Sequence, residues 1–290
     1  MNTINKISNT QKNALIVEGG ALRSVFSSGL LDGFIQHQFN PFNFYIGVSA
    51  GAYNLLAYMS ACEGKSIHIY EKFASDKRFI NFTRFIRGGH LIDLDWIEAM
   101  AFDKSHIDLN QIYHQNKPLY VCLTDVLNGR PVYIDTHQNN VKSTIKASAA
   151  LPLLYRSSPK INGRPMTDGG IADGIPVAEA IRLGATNIMV IRARHKSYVK
   201  KDTLSHALIR WKVKQHTNLL NTMQHRITTF EDSLSLIRNP PEGIIMTEVC
   251  PPENFNMGRF IHNKQQLIDG YHMGYNAAEK TIEEWNYKTR

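Results

Sequence analysis

The chain has 290 residues, of which 43% are hydrophobic and 20% charged, and a formal net charge of +8, which is typical of a globular protein with a buried core. The three cysteines lie far apart and the apolar runs are short, which excludes a disulfide framework, a cysteine zinc site and a membrane-spanning helix. The polar N-terminus lacks the apolar core of a signal peptide, so we expect a cytoplasmic protein with one large α/β domain, or a domain with a small appendage.

Short apolar runs alternate with helical patterns along the first part of the chain. The patterns predict strands at 13–17 and 42–48, helices at 24–39 and 50–61, and a helical insertion over the sheet at 63–114. The alternation of strands and helices predicts an α/β fold with a largely parallel sheet.

The pattern continues with a hairpin and then changes character. Strands are predicted at 118–125 and 130–135 around the turn Asn128-Gly129, followed by helices at 141–151 and 176–183 and a strand at 187–192. Beyond residue 193 the sequence predicts basic helices to 237, a strand near 244–249 and a final helix at 263–285.

The excess positive charge lies in residues 192–226, which contain nine basic residues and one acidic residue. The nine are Arg192, Arg194, Lys196, Lys200, Lys201, Arg210, Lys212, Lys214 and Arg226. A solvated helix surface is the commoner origin of such a run, and a face that attracts lipid phosphates or nucleic acid is the alternative. The run lacks a nucleic-acid-binding motif, so we expect no nucleic-acid partner.

The segment Gly47-Val48-Ser49-Ala50-Gly51 matches the pattern GxSxG. A lone GxSxG is a weak signal, but here it joins a predicted strand to a predicted helix, as a nucleophile elbow requires. Gly47 and Gly51 let the strand and the helix cross closely, and the helix N-terminus favours a developing oxyanion. The alternative is an ordinary turn with a capping serine.

A nucleophilic serine needs a base, and the sequence restricts where it comes from. The α/β-hydrolase fold places several strands before its elbow, whereas 46 residues precede Gly47 here, which argues against that fold. A second glycine cluster, residues 18–23, predicts either inward-facing amides for an oxyanion hole or a phosphate-binding turn. A third segment, Asp168-Gly169-Gly170, lies on a loop and is by itself typical of a plain turn.

Taken in this order, these segments resemble the patatin-like phospholipase family over about residues 13–193. The resemblance is carried by EGGALRSVFSSGLLDGF (18–34), YIGVSAGAYNLLAY (45–58), KASAALP (146–152) and DGGIADGIPVAEAIRLGA (168–185). It implies a three-layer α/β/α domain at 13–193 with a mostly parallel sheet. It also implies a C-terminal, mostly helical extension at 194–290 packed on that domain, as in bacterial members.

The resemblance also implies an activity and a site. The protein would be a lipid acyl hydrolase of phospholipase A, lysophospholipase or esterase type, acting on phospholipids or other lipid esters through an acyl-serine and without metal or cofactor. The implied roles are Ser49 as nucleophile, Asp168 as general base, the amides of Gly19, Gly20 and Ala21 as oxyanion hole, and Arg23, Gly47, Gly51, Gly169 and Gly170 as supporting residues. Independently of the resemblance, the basic charge of residues 192–226 predicts peripheral contact with the inner membrane surface.

Two departures from the family's sequence pattern and two histidines leave alternatives open for the activity and the catalytic mechanism. Ala21 and Ser24 stand where the family usually has glycine; an alanine is tolerable at negative φ and costly at positive φ, and Ser24 is a candidate helix cap. A catalytically weak or inactive lipid-binding scaffold with an altered oxyanion loop is therefore the second prediction. His262 and His272 follow Asp168, so a Ser-Asp-His triad stays formally open, while the absence of HxH and HExxH pairs predicts no metal site.

Overall fold

A computed structural model describes residues 11–76, 78–104, 107–202, 204–260 and 263–290. Its strands are β1 (Asn13–Val17), β2 (Phe44–Val48), β3 (Leu119–Asp125), β4 (Pro131–Asp135), β5 (Lys160–Ile161), β6 (Arg164–Asp168), β7 (Asn187–Ile191) and β8 (Ile245–Val249). They form one sheet in the order β5-β6-β3-β2-β1-β7-β8, with β4 paired to β3. The pairs among β3, β2, β1, β7 and β8 are parallel, which confirms the predicted mostly parallel sheet.

Helices cover both faces of this sheet. The first part of the chain forms α1 (Val25–Gln36), α2 (Ala50–Met59), α3 (Lys65–Ser75), α4 (Phe82–Ile86), α5 (Leu94–Ala99), α6 (Leu109–His114), α7 (Val141–Ala149) and α8 (Val177–Arg182). The remainder forms α9 (Leu204–Lys212), α10 (Thr217–Arg238), α11 (Lys264–Asn276) and α12 (Ala278–Lys288). None of these described helices is both long enough and apolar enough to span a membrane.

The alternation of side chains along β1 shows why the fold has three layers. Leu15 and Val17 point into a cluster with α1 and α2, whereas Ala14 and Ile16 point into a second cluster with α8 and α10. Because both faces are covered, β1 and β7 are apolar almost throughout instead of alternating with polar residues. The predicted α/β/α architecture is therefore confirmed.

The place of β6 brings two strand ends together. One edge of β3 pairs with β4 over residues 120–124, and the other edge pairs with β2 as far as the register pair Val48–Cys122. β6 pairs with residues 123–125 of β3. Because β4 already occupies one edge of β3 there, β6 lies along the other edge, beyond the point where β2 ends. Asp168, opposite Leu123, therefore comes to lie next to the carboxyl end of β2.

The C-terminal part is joined to both the sheet and a helical layer. β8 extends the sheet beyond β7, and α11 packs closely along α1. The single final helix predicted for 263–285 is wrong, because the chain breaks between Asn276 and Ala278 into α11 and α12. The break lets α12 pack against α1 and β8, where Lys288 Nζ donates to the Met246 carbonyl at 3.1 Å.

Candidate active site

Ser49 lies at the sharp turn between β2 and α2. Its backbone has φ 52° and ψ −124°, a conformation that residues other than glycine rarely adopt. The turn is tight enough to need both flanking glycines: a Cβ on Gly47 would lie 2.5 Å from Ala52 Cα, and one on Gly51 would lie 2.4 Å from Val17 O. The strain and the close crossing are the geometry of a nucleophile elbow.

A second serine holds the elbow in place. The Ser49 amide donates to Ser148 Oγ at 2.8 Å, and the Ser148 hydroxyl donates to the Cys122 carbonyl at 2.6 Å. The amide of Ser49 is therefore already occupied by a side chain. Sequence reasoning assigned no role to Ser148; the one signal was its position in the segment 146–152.

The glycine loop between β1 and α1 lies directly against Ser49. A Cβ on Gly19 would be 2.7 Å from Val48 O and 3.0 Å from Ser49 Cβ, so a side chain would push the loop away. The amides of Glu18 and Leu22 donate to the carbonyls of residues 191 and 259. The three amides between them, on Gly19, Gly20 and Ala21, donate to no acceptor among the described residues.

Arg23 fixes the carbonyl side of the same loop. Its buried guanidinium donates from Nε to the Gly20 carbonyl at 3.2 Å. Among the described residues Arg23 forms no ion pair, so its visible role is to hold the loop.

The two departures from the family pattern have different outcomes. Ala21 has φ 51°, so the costly positive-φ case applies. Ser24 does not cap α1: its Oγ is buried without a partner among the described residues. Its carbonyl instead accepts from Ser27 Oγ at 2.8 Å and from Asn54 Nδ2 at 2.7 Å, because the loop turns into α1 through a short 3₁₀ segment.

Replacing Ala21 by glycine is expected to raise the free energy of unfolding by about 1 kcal/mol. Glycine adopts a left-handed φ without the steric cost that the alanine Cβ imposes there. Urea denaturation measures the change, with Ala57→Gly in α2 as the opposite control, expected to lose about 1 kcal/mol because Ala57 lies in a helix interior. A loss of stability in Ala21→Gly would show that the methyl group packs favourably despite its φ.

Asp168 ends β6 and faces the elbow. Its Oδ1 accepts the Gly170 amide at 2.8 Å, and its own carbonyl accepts the Thr124 hydroxyl at 2.8 Å. Gly169 permits this approach, since a Cβ there would lie 2.1 Å from Cys122 O. These bonds fix both the backbone and the carboxylate of Asp168.

The environment of Asp168 makes its carboxylate a stronger base than it is in water. Burial raises the pKa of Asp168, and this effect outweighs the Gly170 amide, the charge of Arg259 and the Ser49 hydroxyl, all of which lower it. Because the Ser49 hydroxyl contributes to lowering this pKa, the two side chains lie near one another.

Ser49 and Asp168 lie in an open cavity of about 1580 Å³, including its mouth, with two contrasting walls. We call one the apolar wall; α2, the insertion and residues 149–154 build it, with lining residues such as Ala57, Ile69, Phe79, Leu94, Ile97 and Leu154. We call the other the basic wall; it consists of Arg23, Arg194, Lys200, Arg226 and Arg259. The acidic lining residues are Glu18 and Asp168.

The interpretation of residues 192–226 as one solvated surface is wrong for four of the nine basic residues. Arg192 is fully buried and pairs with Glu18 at 2.9 Å and Glu248 at 2.5 Å. Three others, Arg194, Lys200 and Arg226, line the cavity. Lys196, Lys201 and Lys214 are exposed. The positive charge therefore divides between the surface and the site, which the run of charges in the sequence does not reveal.

Among the residues that the structure describes, no histidine lines this cavity. His272 is exposed on α11 and does not line it, and His262 lies outside the described residues. Within the described ranges, no group of three or more His, Cys, Asp and Glu side chains is arranged to hold a metal ion. Cys62 and Cys122 are buried thiols that form no disulfide, and Cys250 is a half-buried one.

Comparison with known proteins adds a family assignment for most of these elements. A family model described as Patatin-like phospholipase matches residues 15–181, and a model described as a domain of unknown function (DUF6363) matches residues 216–287. The chain is 34% identical over 244 residues to the uncharacterized protein YjjU of Escherichia coli (strain K12), covering 83% of this chain and 68% of that protein. A crystal structure of VipD from Legionella pneumophila matches with a TM-score of 0.45 and 13% identity, over 94% of this chain and 67% of that one. The first match spans more than half of the chain and contains the elbow, the glycine loop and Asp168.

Proposed function

Because the chain belongs to the patatin-like phospholipase family, we propose that it is a serine hydrolase that cleaves acyl esters of lipids through an acyl-serine intermediate. The observation that carries the proposal is the meeting of Ser49, in a strained turn, with the half-buried carboxylate of Asp168 in one cavity. The apolar wall of that cavity suits a fatty acyl chain.

In the first half-reaction, Ser49 Oγ attacks the ester carbonyl carbon while its proton passes to the Asp168 carboxylate. The negative charge on the carbonyl oxygen is stabilised by the free amides of Gly19, Gly20 and Ala21. Collapse of this intermediate breaks the bond to the alcohol oxygen, which takes the proton from Asp168 and leaves. An acyl-serine remains.

In the second half-reaction, water attacks the acyl-serine carbonyl and gives a proton to Asp168. The same three amides bind the second oxyanion. The bond to Ser49 Oγ then breaks, Oγ takes back the proton from Asp168, and the fatty acid is released. The dyad is therefore regenerated without a histidine.

The cellular location of the protein stays a prediction, which is based on its cysteine usage and on its positive charge. We place the reaction in the cytoplasm, with the exposed basic residues of 192–226 approaching the anionic inner surface of the membrane. Ester substrates at that surface would enter the cavity with the acyl chain against the apolar wall.

A fluorophosphonate probe, which phosphonylates activated serines, tests the nucleophile. The wild-type protein is expected to be labelled stoichiometrically, and Ser49→Ala to show no labelling, because Ser49 is the serine that faces both a base and free amides. Ser157→Ala, a change at an exposed serine, is the matched control and should label like the wild type.

Hydrolysis of a panel of acyl esters by the same proteins completes the test. Turnover by the wild type and its loss in Ser49→Ala would support the hydrolase. A wild-type protein that binds lipid vesicles but is neither labelled nor active would identify the lipid-binding scaffold, for which the strained Ala21 is the supporting observation.

A further inference from the structure

The basic wall of the cavity carries more positive charge than its own residues neutralise. Five cations face two carboxylates, and the Glu18 carboxylate already accepts the Arg192 guanidinium at 2.9 Å and the Ala193 amide at 2.8 Å. The other carboxylate, Asp168, serves the reaction. The wall is therefore a concentrated, largely uncompensated positive surface beside the nucleophile.

Several donors on this wall have no protein acceptor. Arg194 Nε and Arg226 Nε are buried and unpartnered among the described residues, a costly arrangement for groups that bind anions well. Lys200 Nζ makes one long bond, 3.4 Å to the Arg226 carbonyl, and otherwise lies 4.5 Å from the centre of the Phe230 ring. These donors are therefore available to an anion that enters the cavity, although the Arg194 guanidinium also lies 4.6 Å from the centre of the Tyr198 ring.

The cations also crowd one another. Burial, together with the charges of Arg226 and other cations of the wall, lowers the pKa of Lys200 to about 7; burial and the charges of Arg259 and Arg194 lower the pKa of Arg23 to about 9. An anion between them would relieve the repulsion. A phosphate, with several oxygens and up to two charges, matches forked guanidinium donors better than one carboxylate does.

Most of the basic wall comes from outside the part of the chain that matches the phospholipase model. Arg194, Lys200, Arg226 and Arg259 all follow residue 181, and the last two lie in the 216–287 match. The Arg259 carbonyl accepts the Leu22 amide at 3.3 Å, which fixes this segment to the glycine loop. The charges of Arg259 and Arg226 both act on Asp168, so the wall lies close to the reacting ester.

We propose that the C-terminal part of the chain completes the active site with a phosphate-binding subsite, so that the preferred substrate is an acyl ester whose alcohol carries a phosphate. The acyl chain lies along the apolar wall, the ester lies at Ser49, and the phosphate of the leaving alcohol binds Arg194, Arg226, Arg259 and Lys200. This assignment rests on the proposed function, since it names the substrate of the same serine.

Three esters with one oleoyl chain test the subsite: oleoyl lysophosphatidic acid, oleoyl lysophosphatidylcholine and mono-oleoylglycerol, assayed below their aggregation limits. The wild type is expected to favour the phosphate monoester over the uncharged glycerol ester by about 100-fold or more in kcat/KM, and the zwitterionic ester to fall between. Equal turnover of the charged and uncharged esters would overturn the proposal.

Matched variants assign the preference to the wall. Arg226→Gln and Lys200→Gln are each expected to reduce the ratio of kcat/KM for the phosphate ester to that for the glycerol ester by about 10- to 100-fold. Arg226→Lys keeps the positive charge but loses the paired guanidinium donors, so it should retain part of the preference for the phosphate ester. Lys201→Gln removes the same charge from the neighbouring exposed position and should leave the ratio unchanged. A preference that survives both cavity variants would refute the subsite.

Binding to the Ser49→Ala protein separates this inference from the proposed function. Calorimetry should show oleoyl lysophosphatidic acid binding at least 10-fold more tightly than mono-oleoylglycerol, and Arg226→Gln on that background should remove the difference. If no ester is hydrolysed but this binding holds, the hydrolase proposal fails and the phosphate subsite stands. If esters are hydrolysed but the two lipids bind equally tightly, the hydrolase proposal stands and the phosphate subsite fails.

Discussion

Replacing Asp168 by asparagine is expected to lower kcat for ester hydrolysis by about 10²- to 10⁴-fold. The amide oxygen of asparagine still accepts the Gly170 amide, so the loop keeps its shape, but the side chain no longer takes a proton from Ser49. Asp173→Asn is the matched control: Asp173 is a buried aspartate that follows five residues later and does not line the cavity, so its loss should change kcat only a few-fold.

The pH profile gives this prediction a second readout. Since Asp168 acts as a base only when ionised, and burial raises its pKa, wild-type activity should rise with pH along a limb that lies above the ordinary range of an aspartate. Residual activity in Asp168→Asn should lack that limb. Full activity in Asp168→Asn, together with its loss in His262→Ala or His272→Ala, would replace the dyad with a histidine mechanism.

The second large effect is expected from Gly29→Ala, in the helix pair that joins the C-terminal part to the sheet. A Cβ on Gly29 would lie 1.9 Å from the Tyr271 carbonyl oxygen, and one on Gly274 would lie 2.0 Å from the Phe26 carbonyl oxygen. Because the two backbones touch from both sides, a methyl group forces α1 and α11 apart. We expect a loss of about 3 kcal/mol or more in the free energy of unfolding.

Urea denaturation of three proteins tests this contact. Gly29→Ala and Gly274→Ala should both lower the transition midpoint strongly, because each inserts a methyl group into the same crossing. Gln36→Ala, on the exposed end of α1, should change the free energy of unfolding by less than about 0.5 kcal/mol. A loss below about 1 kcal/mol in both glycine variants would mean that the helices separate easily.

The sequence predicted the elements that depend on local patterns. The strand–turn–helix units around Ser49 and the glycine loop follow from short apolar runs that end at glycines, and the hairpin follows from Asn128-Gly129. The sequence predicted that an alanine at position 21 is costly only if its φ is positive. The structure shows that this φ is positive. Local sequence indicates that a turn is tight, but the dihedral angle depends on the packing around it.

The residues that the sequence did not place are those whose role depends on distant contacts. Ser148 supports Ser49 across 99 residues of chain, a contact that no local pattern encodes. Arg226 belongs to a charged run that a solvated helix would also explain, and its inward position depends on how α10 packs on the sheet. Arg259 lies outside every motif found in the sequence. It is on an irregular segment with no periodic pattern, so nothing in the sequence indicates that it reaches the site.

The pairing of β7 with β8 has a consequence for how this chain can be divided. Without residues beyond 193, β7 would become the outermost strand of the sheet, with its row of backbone donors and acceptors unpaired and its apolar side chains exposed. Such an edge is a template for aggregation between molecules. We therefore expect a gene fragment that ends at residue 193, and so keeps β7 but lacks β8, to yield insoluble protein.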